Sequence, residues 1–129
     1  MPKLVSGFSL IEVIVSIFIM SVILLLFQAL VRSSVLVRTS KDQGIALAVV
    51  RNELETLRAN GYAALPASGS FSDSLLGTLP PATTATLSVS VLNAQTKQVS
   101  ASVVWREPGA AASSTVSLST LITQNGGLP

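Results

Sequence analysis

Cysteine and histidine are both missing from this 129-residue sequence. Their joint absence removes thiolate nucleophiles, imidazole bases and the usual zinc ligands, so no cofactor and no metal site is expected. Disulfides cannot staple the fold, and the redox compartment cannot be read from cysteine usage. A serine nucleophile would need a lysine base, yet no serine motif surrounds Lys3, Lys41 or Lys97. Glu53 and Glu55, two positions apart, fall on different sides of a helix and form no carboxylate pair. The chain reads as non-enzymatic. Charge is scarce too: charged residues make up 11% and the formal net charge is +2, with acids interspersed among the bases. That balance argues against a dedicated nucleic-acid surface. Aromatics are 5%, and only Tyr62 and Trp105 join four phenylalanines as platforms for stacking on bases, so no specific nucleic-acid partner is expected.

What the sequence does have is one long apolar run. Residues 8–31 number 24, and only Ser9, Glu12, Ser16, Ser21 and Gln28 among them are polar. At about 1.5 Å per residue such a helix spans roughly 36 Å, enough to cross a hydrocarbon core of about 30 Å with some tilt. A buried helix of a soluble protein is the weaker reading, because the short remaining chain cannot enclose so apolar a segment. An ordinary secretory signal fits poorly as well. Its apolar core would be shorter, and the "QALVRSS" that follows here is a poor small-x-small cleavage site. Any cut is expected before the run, which is then retained. Glu12 is the anomaly, since an ionised side chain at membrane depth costs on the order of 3 kcal/mol and usually has a partner or a function. Orientation is ambiguous on charge alone. Lys3 precedes the run while Arg32, Arg38 and Lys41 follow it closely, so a plain positive-inside count favours a cytoplasmic C-terminal part.

The residues "KLVSGFSLIEV" place a glycine, an aromatic residue and a glutamate at fixed offsets before the apolar run. This pattern resembles the amino terminus of type IV pilins and type II secretion pseudopilins. The resemblance implies a leader of residues 1–7, cut between Gly7 and Phe8 by a prepilin peptidase on the cytoplasmic side of the inner membrane, with methylation of the new amino group on Phe8. A glycine suits the scissile position because, lacking Cβ, it enters backbone conformations that other residues resist. A cytoplasmic leader also implies that the bulk of the chain lies outside the cytoplasm, against the plain charge count. Glu12 gains a role by the same resemblance: in related filaments the carboxylate is thought to meet the methylated amine of a neighbouring subunit. Such pairing would relieve two desolvation penalties at once. The partners implied are the prepilin peptidase, other pilin or pseudopilin subunits, an inner-membrane assembly platform and the membrane itself.

Beyond residue 31 the helical pattern continues to residue 60 in amphipathic form. Leu47, Val50, Leu54 and Leu57 recur at spacings of three and four as a core-facing stripe, with Arg51, Glu55 and Arg58 on another face. Gly44 and the capping-box-like "SKDQ" at 40–43 leave open whether the helix breaks and restarts there, and Asn60-Gly61 predicts the stop. Residues 61–129 form the head. Its first part is rich in Gly, Pro, Ser and Thr and reads as a loop holding one short element, docked through Phe71, Leu75 and Leu76. Alternation then sets in: Leu87, Val89 and Val91; Val99, Ala101, Val103 and Trp105; Val116, Leu118 and Ile122. Residues 93–96 and Glu107-Pro108-Gly109 suit hairpin connections. The tail "NGGLP" reads as frayed. The expected fold class is α+β, a long amino-terminal helix packed on an antiparallel sheet of three to four strands, with Trp105 in the core.

The expected function is that of a structural filament subunit, stored in the membrane before assembly. No proline stands between Pro2 and Pro66, whereas many major pilins have one in the helix, and the small head lacks the stapled loop common there. The sequence therefore looks more like a minor pilin or minor pseudopilin. The alternative is a membrane-anchored module for adhesion or DNA uptake on the same pilin-like anchor.

Overall fold

The computed structural model describes residues 7–125. The leader up to residue 6, including Lys3, and the last four residues of the "NGGLP" tail lie outside the described residues. Residues up to Arg38 form one compact unit and residues from Thr39 onward another.

One α-helix, α1, runs over Leu10–Asn60. It begins at Leu10, two residues into the apolar run, just after Ser9, whose carbonyl accepts the N–H groups of Glu12 (2.9 Å) and Val13 (3.2 Å). Boundaries of this kind differ by a residue or two between definitions. The question of a break near Gly44 is resolved: the helix is continuous there. One glycine costs about 1 kcal/mol against alanine, less than the burial of Ala46, Val49 and Val50 just beyond it returns. The "SKDQ" residues stay helical, and Asp42 is buried at 6% exposure instead of capping a new helix. The stop comes where expected. Gly61 takes φ 83° and ψ 175°, a region essentially reserved for glycine, and its N–H donates to the Leu57 carbonyl at 3.1 Å.

The unit from Thr39 onward is the outer part of α1 packed on a four-stranded antiparallel sheet. Its strands are β1 (Gly69–Ser70), β2 (Thr84–Asn93), β3 (Thr96–Trp105) and β4 (Ser114–Thr123), in that spatial order. The segment between helix and sheet holds more than one short element: 3-10 turns at Tyr62–Ala64 and Ser74–Thr78 flank β1. Asp73 caps the second turn by accepting the Leu75 N–H at 2.8 Å. Phe71, Leu75 and Leu76 pack against the core as the sequence predicts.

The core joins Ala46, Val49, Val50, Leu54 and Leu57 of α1 to Ala85, Leu87, Val99, Ala101, Val103, Trp105 and Ile122 of the sheet, with Leu79 from the loop. Trp105 is buried, and its indole Nε1–H donates to Glu107 Oε1 at 2.9 Å. Three expected core positions are corrected, among them Leu118 of β4, which is 36% exposed. Leu47 is 44% exposed, because each residue advances about 100° around the helix and Leu47 stands that far beyond buried Ala46, on the flank toward Val116. Val91 is 71% exposed although its alternation is right. A helix about 10 Å wide covers only part of a ten-residue strand roughly 33 Å long, so burial fades along β2 from Leu87 to Val91.

The register fixes the opposite face as well. Thr84, Thr86, Ser88 and Ser90 of β2 align with Val104, Ser102, Ser100 and Gln98 of β3, which align in turn with Thr115, Ser117, Ser119 and Leu121 of β4. This outer face is solvated in β2 and β4, and Ser100 and Ser119 share a hydroxyl bond of 2.8 Å across it. At the hairpin end, the Lys97 ammonium sits 4.6 Å from the centre of the Tyr62 ring.

Candidate processing and assembly site

Gly7, Phe8 and Ser9 precede the helix in non-helical backbone, and Glu12 falls in its first turn. Among the described residues, chain neighbours aside, no atom lies within 4 Å of where a Cβ on Gly7 would stand. Phe8 is 81% exposed. From Phe8 to Val31 all the large apolar side chains are exposed, so nothing among the described residues covers this surface.

The polar residues of the run are handled in two ways. Ser16 donates its hydroxyl to the Glu12 carbonyl (2.7 Å) and Ser21 to the Ile17 carbonyl (2.8 Å). Each hydroxyl is thus satisfied by its own helix and needs no water. Glu12 has no such relief. Its exposed carboxylate makes no hydrogen bond or ion pair among the described residues. The fold thus keeps Gly7, Phe8 and Glu12 within one short stretch at the helix start, with the acid available to an outside group.

Outside this stretch, sequence reasoning missed three acids. Asp42 is buried on the inner side of α1, a position that its helical spacing from Ala46 and Val49 signals. Glu107 anchors the tryptophan, with its other oxygen, Oε2, buried and unbonded among the described residues. Burial, and then repulsion from Asp73, raise the Glu53 carboxyl above its ordinary value of 4.5. None of the three is near the helix start in sequence. Among the described residues no group of three or more His, Cys, Asp or Glu is arranged to hold a metal ion.

Comparison with known families gives a match at this end of the chain: the prokaryotic N-terminal methylation motif, over residues 2–27. The chain carries a type IV pilin-like prepilin signal. The motif takes in Gly7, Phe8, Glu12 and the apolar start of α1, and does not extend to the sheet. Comparison with curated proteins and with solved structures gives no match for the chain. Downstream of the signal, the helix on an antiparallel sheet is a pilin-like α+β architecture. A prepilin signal leading into a helix long and apolar enough to cross a membrane fits a membrane-anchored pilin precursor. Together they point to a structural, non-enzymatic protein.

Proposed function

We propose that this chain is a subunit of a type IV pilus or type II secretion filament. It is held in the inner membrane as a precursor, cut between Gly7 and Phe8 by a prepilin peptidase and methylated on Phe8. The observation that carries the reading is the methylation motif over residues 2–27, which runs directly into exposed apolar helix. The leader faces the cytoplasm and the head lies outside it. After cleavage the apolar part of α1 leaves lipid for a bundle of like helices, and Glu12 meets the methylated amine of a neighbouring subunit. The small head without cysteine and the absence of proline between Pro2 and Pro66 favour a minor subunit over the principal one.

The test compares wild type with Glu12→Val for precursor cleavage, membrane residence and presence in sheared filaments. The variant is expected to insert and to be cut, since the helix becomes more apolar and Gly7 and Phe8 are unchanged. Incorporation is expected to fall sharply, because an unpaired buried charge costs roughly 3 to 5 kcal/mol, two or more orders of magnitude in an equilibrium. Normal incorporation of Glu12→Val would remove the pairing role. A wild-type chain left uncut in cells with the peptidase would remove the whole reading. Mass spectrometry of the same filaments decides the minor role, with a trace ratio to the main subunit expected and dominance refuting it.

A further inference from the structure

The residues that stop α1 carry a chemistry that stopping a helix does not use. Of the four asparagines in the chain, Asn60 and Asn125 are followed by glycine. An asparagine before glycine is open to attack on its own side chain by the next backbone nitrogen, because glycine has no Cβ to obstruct the approach. The residue after Asn125 lies outside the described residues, whereas Asn60 and Gly61 are both described. Asn60 is exposed, and its side-chain amide makes no hydrogen bond among the described residues. Chain neighbours aside, none of those residues comes within 4 Å of where a Cβ on Gly61 would stand. The other two asparagines differ. Asn93 accepts the Gln95 N–H on its Oδ1 at 2.9 Å and precedes an alanine, and Asn52 lies inside α1 before Glu53.

We propose that Asn60-Gly61 is a self-modifying site, where the fold holds back deamidation and unwinding of the last turn of α1 releases it. The Gly61 nitrogen gives up its proton to water and bonds to Asn60 Cγ. The Cγ–Nδ2 bond breaks, and the amide nitrogen takes a proton from water and leaves as ammonia. Water then opens the five-membered imide at one carbonyl or the other, leaving aspartate or isoaspartate at position 60. One water is consumed and one ammonia released, with no oxidation or reduction.

In the folded chain the attack is blocked twice. The Gly61 N–H is held by the Leu57 carbonyl at 3.1 Å. Asn60 is the last residue of α1, and the planar imide needs it turned out of the α region. Unwinding this turn is tied to the head. Leu57 is 4% exposed in the core, and Tyr62, next after Gly61, lies under the Lys97 ammonium and donates its hydroxyl to the Ala94 carbonyl at 3.4 Å. Losing the turn withdraws Leu57 and Tyr62 together. The product does not fit back equally well, since its new carboxylate stands at the negative end of the helix dipole and isoaspartate adds a carbon to the backbone. With ammonia gone the change is one-way, so position 60 keeps a lasting record that the head has opened. This inference stands apart from the filament-subunit reading.

The test ages the full chain in detergent micelles at mildly alkaline pH, beside a synthetic peptide of residues 57–64 that is too short to hold a helix. Aspartate and isoaspartate at position 60 are counted by fragment mass spectrometry, separately from those at position 125. The peptide is expected to deamidate faster than the folded chain by about tenfold or more, because the chain must first lose the Gly61 hydrogen bond and the packing of Leu57. Guanidinium should raise the rate in the full chain in step with exposure of Trp105, up to the rate of the peptide. Asn60→Gln, which would have to close a larger ring, should give no product. Equal rates in folded chain and peptide overturn the gating. A rate that climbs while Trp105 stays buried overturns the link to the head, and a peptide that yields no product overturns the site itself.

Discussion

Glu12 sits in the first turn of α1, where the positive end of the helix dipole favours an acid by about 0.3–1 kcal/mol. An ionised carboxylate at bilayer depth costs on the order of 3 kcal/mol, so the dipole offsets only part of it. On the filament-subunit reading proposed above, an amine of a neighbouring chain supplies the rest. Gly7 invites a simpler experiment. Gly7→Val adds a β-branched side chain and restricts the scissile backbone, so the precursor should accumulate uncut, as amino-terminal sequencing of the membrane fraction would report. Glu53 makes a separate prediction. Its folded-state pKa is raised by burial and by Asp73, so its contribution to stability is full below the ordinary value of 4.5 and is lost as pH rises through the folded value. Glu53→Gln should therefore raise the melting temperature at pH 7 and give progressively less benefit as pH falls toward 4. A gain of equal size at both pH values would trace to packing instead.

Two glycines of α1 and its exit behave oppositely at the scale of the element. Gly44 is helical with open space around its missing Cβ, so Gly44→Ala should stabilise the folded chain by about 1 kcal/mol. Gly61 holds φ 83° and ψ 175°, and Gly61→Ala should cost about 1–3 kcal/mol. Thermal unfolding of the two variants should move in opposite directions. These elements also show what a sequence discloses. The strands were legible because alternation in β3 continues through Val99, Ala101, Val103 and Trp105, each of them buried. The helix stop was legible because Asn60-Gly61 has few other uses. The phase of the buried stripe was less so: Ala46 and Val49 take the place given to Leu47, since a small residue under a sheet signals less strongly than a leucine beside it. The two-residue β1 carried no periodic signal at all, and Asp42 was hidden because an acid on an inner face contradicts the pattern that defines that face. At the other end, the resemblance to a prepilin signal was legible from the residues around Gly7, Phe8 and Glu12, where the methylation motif matches, whereas the buried Glu107 oxygen exists only through the fold of the turn after β3.

At the scale of the whole molecule, the head packs within the unit from Thr39 onward, apart from the unit that holds the apolar run. Trp105→Ala removes the largest fully buried side chain and should cost about 3 to 5 kcal/mol, a large share of what a small domain possesses. The head should then become protease-sensitive while the precursor still inserts and is still cut, because the prepilin signal lies within residues 2–27. Loss of membrane residence in this variant would show that the units are not independent. The outer sheet face has a consequence of another kind. Its serines and threonines, with Gln98, Val104 and Leu121, include no ionisable side chain. Such a surface gathers no counterion cloud of its own, so raising salt from 0.01 M to 1 M, which shortens the Debye length from about 30 Å to about 3 Å, should leave contacts through it nearly unaltered. Filaments that meet the world through this face would hold alike in fresh water and in brine.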